Sequence, residues 1–277
     1  MSEILKAILF GVVQGVTEWL PISSTGHMIL LDEFLALRFG AEFVNTFLVV
    51  IQAGSILAVV VLYFKRLWPF GGGKNKREKR EIWALWFRIL IAAIPAAIIG
   101  ILFEKQINQY LYRSMVVAIA LIAYGVLFIL VESRHERPKI TKMEELGYQT
   151  ALMIGLFQVL ALVPGTSRSG ATILGAIFLG CSRTVASEFS FFLAIPVMAG
   201  ASLLKLIKIG FGFGALEWAV LATGCAVAFL VSLAAIRFLL GYVRRHDFKA
   251  FGWYRIALGI VVVLYFWYTG TSLNPGL

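Results

Sequence analysis

The sequence predicts an all-α polytopic membrane protein arranged as an inverted-topology repeat, each half a re-entrant helical hairpin followed by three transmembrane helices. Three observations carry this expectation. Of the 277 residues, 60% are hydrophobic and only 14% charged, with mean hydropathy +0.87, whereas a soluble domain usually carries about a quarter charged residues. Two polar stretches, residues 14–27 and 158–172, echo each other at an offset of 144 residues. Lysines and arginines gather in the loops after the first, third and fifth full spans, which the positive-inside rule assigns to the cytoplasm.

The formal charge of +10 does not point to nucleic acid, because no folded basic domain remains once the apolar spans are removed. Only Cys181 and Cys225 are present, both in apolar surroundings, so neither a disulfide framework nor a thiolate metal site is expected. The first residues, Met1-Ser2-Glu3-Ile4-Leu5-Lys6, place an acid near the start with no small-residue cleavage site ahead of Gln14. The N-terminal helix is therefore read as mature structure.

Residues 1–20 form an apolar helix broken at Pro21, and 22–37 resume as a shorter helical piece. The break and the polar Ser23-Ser24-Thr25-Gly26 corner read as a hairpin, since unpaired backbone at membrane depth is tolerated where it lines a cavity. Residues 43–63 are a full span. The densest basic segment follows, with Lys65, Arg66, Lys74, Lys76, Arg77, Lys79 and Arg80. Spans 83–103, carrying Pro95, and 115–131 lead to a second basic loop with Arg134, Arg137, Lys139 and Lys142. Residues 148–181 repeat the hairpin around Pro164-Gly165-Thr166-Ser167-Arg168-Ser169-Gly170. Spans 188–204, 218–240 and 254–268 complete the six, and the loop with Arg244, Arg245 and Lys249 falls inside.

The echo extends beyond the corners, since Glu42-Phe43 with Ala53-Gly54 is matched by Glu188-Phe189 with Ala199-Gly200. Residues 1–131 are thus a first repeat and 148–268 a second within a single membrane domain. A hairpin plus three spans turns the second copy upside down and leaves both termini outside, with a site near the midplane where broken helices meet.

The residues Gln14-Gly15-Val16-Thr17-Glu18-Trp19-Leu20-Pro21-Ile22-Ser23-Ser24-Thr25-Gly26-His27 put an acid, four hydroxyls and a histidine into an apolar run, which is costly in lipid and marks function. Gln14 and Glu18 share a helix face. Ser23, Ser24 and Thr25 exceed what one helix cap needs, and a helix N-terminus with free amides and hydroxyls suits phosphate. Ser167, Arg168, Ser169 and Gly170 form the second such corner, with Arg168 suited to bidentate phosphate contact. His27, one turn past Ser24, is a candidate proton carrier. His135 and His246 lie in basic loops, while Glu42, Glu188 and Arg183 lie near span ends, where snorkelling or structural pairing accounts for them.

Residues 14–27 and Pro164-Gly165-Thr166-Ser167-Arg168-Ser169-Gly170-Ala171-Thr172 resemble the two signature motifs of the bacterial undecaprenyl-diphosphate phosphatase family associated with bacitracin resistance. The resemblance runs essentially end to end and includes Glu188-Phe189-Ser190-Phe191. It implies hydrolysis of the C55 polyprenyl diphosphate to its monophosphate, recycling the carrier lipid for peptidoglycan assembly at the outer face of the inner membrane. It further implies Ser24 as nucleophile, Glu18 as the motif acid, His27 as a nearby acid or base and Arg168 as the diphosphate clamp. Ser23, Thr25, Gly26, Ser167, Ser169 and Gly170 would surround the phosphates. A divalent cation, magnesium or calcium, would be held by Glu18 with Gln14, although glutamine at position 14 leaves one carboxylate where the family often has two. The other membrane lipid phosphatase pattern does not fit, because Ser182-Arg183 is followed by no suitably spaced histidine and aspartate. The expected partners are the polyprenyl diphosphate and membrane lipid, with a homodimer allowed. A transporter or flippase for a polyprenyl phosphate is the rival reading, since inverted repeats with broken helices are also a transporter plan.

Overall fold

A computed structural model describes residues 1–71, 73–134, 137–210 and 212–270, without the side chains of Asn108 and Ile209. His135 lies outside the described residues. Among them the chain is all-helical and without strands. The first half runs α1 (Glu3–Thr17), α2 (Ser24–Leu35), α3 (Ala41–Leu62), the single turn α4 (Phe64–Leu67), α5 (Lys76–Leu102), α6 (Glu104–Leu111) and α7 (Ser114–Ser133). The second runs α8 (Tyr148–Val159), α9 (Arg168–Phe178), α10 (Arg183–Ile209), α11 (Ala215–Val243) and α12 (Lys249–Thr269).

Six helices, α3, α5, α7, α10, α11 and α12, are long and apolar enough to cross a membrane, and they coincide with the six spans read from hydropathy. The hairpin helices α1, α2, α8 and α9 have 15, 12, 12 and 11 residues. At 1.5 Å per residue each falls short of a hydrocarbon core about 30 Å thick.

Local chemistry moves several boundaries. Helix α1 starts where Ser2 Oγ accepts from Leu5 N at 3.3 Å and stops at Thr17 rather than near residue 20, because Pro21 has no N–H to give the Thr17 carbonyl four residues back. Helix α5 begins at Lys76, well before the expected 83. Asn75 Oδ1 accepts from Glu78 N at 2.9 Å and Glu78 Oε2 accepts from Asn75 N at 2.8 Å, a reciprocal cap that carries the basic segment into the helix. Helix α10 likewise starts at Arg183, capped by Ser182, so Glu188 sits in its second turn.

The halves pack by exchange. Helix α1 lies on α11 of the second half and α8 lies on α5 of the first, while α3 packs on α10 and α11, and α7 packs on α12. In lipid no hydrophobic force separates helices from solvent, so association rests on close contact. A Cβ added at Gly155 in α8 would stand 2.3 Å from the carbonyl oxygen of Ala92 in α5, so only glycine permits that approach. The largest core cluster gathers Trp19, Phe128, Phe189, Phe191, Phe192 and Phe248 from both halves.

Candidate active site

Each hairpin turns on a serine with a positive φ, +73° at Ser23 and +72° at Ser167, the two non-glycine cases among the described residues. Such backbone costs about 1–3 kcal/mol per residue and persists only where surroundings enforce it. Both serines then cap the following helix, Ser23 Oγ accepting from Gly26 N at 3.3 Å and Ser167 Oγ from Gly170 N at 3.2 Å. The chain thus reverses sharply at two matching points, delivering Ser24 and Arg168 as the first residues of α2 and α9.

The corners touch. Ser169 Oγ lies 3.0 Å from the carbonyl oxygen of Glu18 and 3.2 Å from that of Leu20, so its hydroxyl is shared between two acceptors of the other corner. Behind them stands Arg255 of α12, fully buried. Its Nη1 donates to Pro21 O at 3.2 Å, and its Nη2 donates to Gly165 O and Thr166 O at 2.9 Å each. Its guanidinium faces the Tyr124 ring at 5.4 Å. A Cβ at Gly170 would come within 2.9 Å of Arg255 Nη1, which explains glycine at that place. Among the described residues, three carbonyls and one ring meet this charge, with no carboxylate in hydrogen-bonding contact.

Glu18, 5% exposed, is the hub of the polar cluster. Its Oε2 accepts from Gln14 Nε2 at 3.0 Å, one turn earlier on α1, and from Ser24 Oγ at 2.9 Å. Its Oε1 accepts from Arg168 Nη2 at 3.0 Å. Arg168 Nη1 donates to the carbonyl of Ser190 at 2.8 Å and to its hydroxyl at 3.1 Å, and Ser190 Oγ is within 2.6 Å of Thr172 Oγ1. The guanidinium lies over Trp19 at 5.5 Å, whose ring meets Phe191 edge-on at 5.3 Å. Arg168 Nε, buried, has no hydrogen-bond partner among the described residues. Trp19 Nε1 and Arg255 Nε at the same corners are likewise buried without a partner among the described residues.

His27 does not face Ser24. Its Nδ1 is 2.7 Å from Ser23 O and its Nε2 is 2.7 Å from Tyr254 Oη, with the two rings parallel within 1°. Ser24, Thr25 and His27 are half-buried, whereas Ser23, Gly26, Ser169 and Gly170 are buried.

For a divalent cation the oxygens at hand are those of Glu18 and Ser24 Oγ, while Gln14 meets Glu18 through its amide nitrogen and would have to turn its amide over to offer oxygen. All are hard oxygens, and an ion that takes one carboxylate and completes its shell with water and substrate phosphates fits such a set. No cluster of three metal-ligating acids, histidines or cysteines exists among the described residues.

Sequence reasoning assembled Gln14, Glu18, Ser24 and Arg168, which do converge. It gave no role to Ser190, Thr172, Tyr254 or Arg255. Arg255 carried a usable signal, being a charge one residue inside an expected span. Glu188 and Arg183 take structural partners: Arg66 Nη1 bridges both oxygens of Glu188 at 2.9 Å, and Arg183 grips the buried Glu132.

Two broken helices whose corners bring together an acid, a hydroxyl and a guanidinium, inside a bundle of six membrane-length helices, make this a polytopic membrane protein with a buried polar cluster. The chain belongs to the family described as bacitracin resistance protein BacA, whose model matches residues 7–261. It is 58% identical over 266 residues to undecaprenyl-diphosphatase 1 of Clostridioides difficile, covering 96% of this chain and 97% of that one. It is similar at 58% over 268 residues to the undecaprenyl-diphosphatase of Acetivibrio thermocellus, covering 96% and 98%, and at 54% over 267 residues to that of Enterococcus faecalis, covering 95% and 96%.

Proposed function

We propose that this chain hydrolyses undecaprenyl diphosphate to undecaprenyl phosphate and inorganic phosphate, a reading supported by relatives named undecaprenyl-diphosphatase. The observation that carries the reading is the Ser24 hydroxyl aimed at Glu18 Oε2 from 2.9 Å, with Arg168 on the opposite oxygen. A nucleophile within hydrogen-bond reach of an oriented base is the arrangement that covalent catalysis needs. Ser24 Oγ attacks the terminal phosphorus, its proton passes to Glu18, and the anhydride bond breaks to release the lipid monophosphate. Water then hydrolyses the phosphoserine, regenerating the Ser24 hydroxyl.

Arg168 offers its open Nε and its Nη groups to the phosphate oxygens, and the amides and hydroxyls of Ser23, Thr25, Gly26, Ser167, Ser169 and Gly170 line the same corners. Charge neutralisation of this kind is the main task in phosphoryl transfer. His27 serves as the proton carrier for the leaving or attacking oxygen. A divalent cation held by Glu18 and Gln14 would supply further neutralisation of the diphosphate.

The exchange of packing partners between halves supports an inverted repeat, residues 1–131 and 148–268, with re-entrant hairpins entering from opposite faces. The site then opens to the outer side of the bacterial inner membrane. There the reaction returns carrier lipid to peptidoglycan synthesis and confers bacitracin resistance.

Purified protein in detergent tests the activity, since no compartment exists there to transport across. Phosphate release from the C55 diphosphate, lost in Ser24→Ala and Arg168→Ala, is expected. Absence of release, together with movement of lipid monophosphate across reconstituted vesicles, would establish the transporter instead.

A further inference from the structure

Tyr254 is the side chain that closes the open end of His27, and nothing in the reading above uses it. Ser23 O can only accept, so the 2.7 Å contact makes His27 Nδ1 the donor. In the neutral ring Nε2 is then the acceptor, and the hydroxyl of Tyr254 at 2.7 Å is its donor. The rings are parallel within 1° with centroids 5.6 Å apart, so they meet edge to edge through this hydrogen bond, which orients the imidazole. The tautomer and the orientation are thus both set from outside α2.

This arrangement bears on which atom moves the proton. Nδ1 is committed to a carbonyl that cannot give a proton back, so any proton that His27 gains or loses passes at Nε2. A hydroxyl is the one partner that suits Nε2 in both states, donating to the neutral ring and accepting from the charged one after rotation about its C–O bond. Phenylalanine would keep the ring beside the imidazole and satisfy neither state.

We infer that Tyr254 is a positioning residue for the reaction, orienting the His27 ring whose tautomer Ser23 O sets, and keeping Nε2 as the working nitrogen in both protonation states. The inference rests on His27 being the proton carrier. The charged groups around the pair are Arg255, adjacent on α12, and the Glu18–Arg168 pair that holds Ser24 one turn away. On α7, Leu121 packs at Gly26 and brings no charge. Tyr254 is 45% exposed, so loss of its hydroxyl does not threaten folding.

Steady-state rates and pH profiles of Tyr254→Phe, His27→Ala and the double variant, measured on the full chain in detergent with C55 diphosphate, test this. Tyr254→Phe should lower kcat by about 5- to 10-fold, the worth of one hydrogen bond, with KM little changed. It should displace the pH limb that disappears in His27→Ala, and the double variant should be no slower than His27→Ala alone. A wild-type pH profile in Tyr254→Phe, or losses that multiply in the double variant, overturns the inference while leaving His27 its role. An unaltered rate and profile in His27→Ala overturns both.

Discussion

The hydroxyl of Ser24 reaches Oε2 of Glu18 across 2.9 Å, joining the first residue of α2 to the residue that caps the end of α1. The hairpin corner between them folds an acid and a hydroxyl six positions apart into hydrogen-bond contact, and Arg168 from the other half closes on the remaining oxygen. Roles follow from this geometry that single substitutions can separate.

Rapid quenching of wild-type protein with labelled substrate should trap an acid-stable phosphoserine. Ser24→Ala should abolish it and leave slow attack by water, while Glu18→Gln should slow its formation by about 10²- to 10⁴-fold, the range of general-base assistance. An acid-labile phosphohistidine that survives in Ser24→Ala would make histidine the nucleophile.

Arg168→Lys should fail almost as badly as Arg168→Ala. An ammonium keeps the charge but cannot span Glu18 Oε1, Ser190 and a phosphate at once, as the planar fork does. The expected loss is on the order of 3 kcal/mol in transition-state stabilisation, read from kcat/KM. Near-normal turnover in the lysine variant would reduce the site's demand to charge alone.

Gln14 donates its amide to Glu18. If a hard cation is held by this pair together with substrate phosphates, Gln14→Glu should tighten apparent metal affinity with a smaller change in maximal rate, because carboxylate oxygen is the better ligand. Metal titrations of activity that superimpose on wild type would place position 14 outside the ion's shell.

Removing Arg255 should cost stability and catalysis together. Arg255→Leu leaves the carbonyls of Pro21, Gly165 and Thr166 unpaired, each worth about 1–3 kcal/mol when buried, so the melting temperature in detergent should fall clearly. Arg255→Lys should recover part of the stability but little of kcat, since one ammonium cannot tie both corners in register. A lysine variant with wild-type kcat would show that corner spacing tolerates change.

Topology is tested by labelling. A cysteine placed at Ser2 should react from outside intact cells, and one at Asn75, the cap of α5, only after permeabilisation. Labelling of Asn75 in intact cells would overturn the inverted arrangement.

Hydropathy located the six long helices because lipid imposes the same demand, an apolar run of sufficient length, on every span. Boundaries were less legible. The cap at Asn75 and Glu78 outweighed the charge of the residues behind it, and Pro21 ended α1 earlier than the apolar pattern did.

The sequence by itself determined that acid, hydroxyls and guanidinium lie in two matching corners, since charge at membrane depth and a repeated spacing are local properties of the chain. Only the tertiary structure decided that Arg255 ties Pro21 to Gly165 and Thr166, across separations of 234, 90 and 89 residues. The same holds for Ser190 receiving Arg168 and for His27 turning to Tyr254 rather than to Ser24. The reason is physical: a hydrogen bond is set by distance and direction in space, and residues from different helices meet only once packing has fixed how those helices cross.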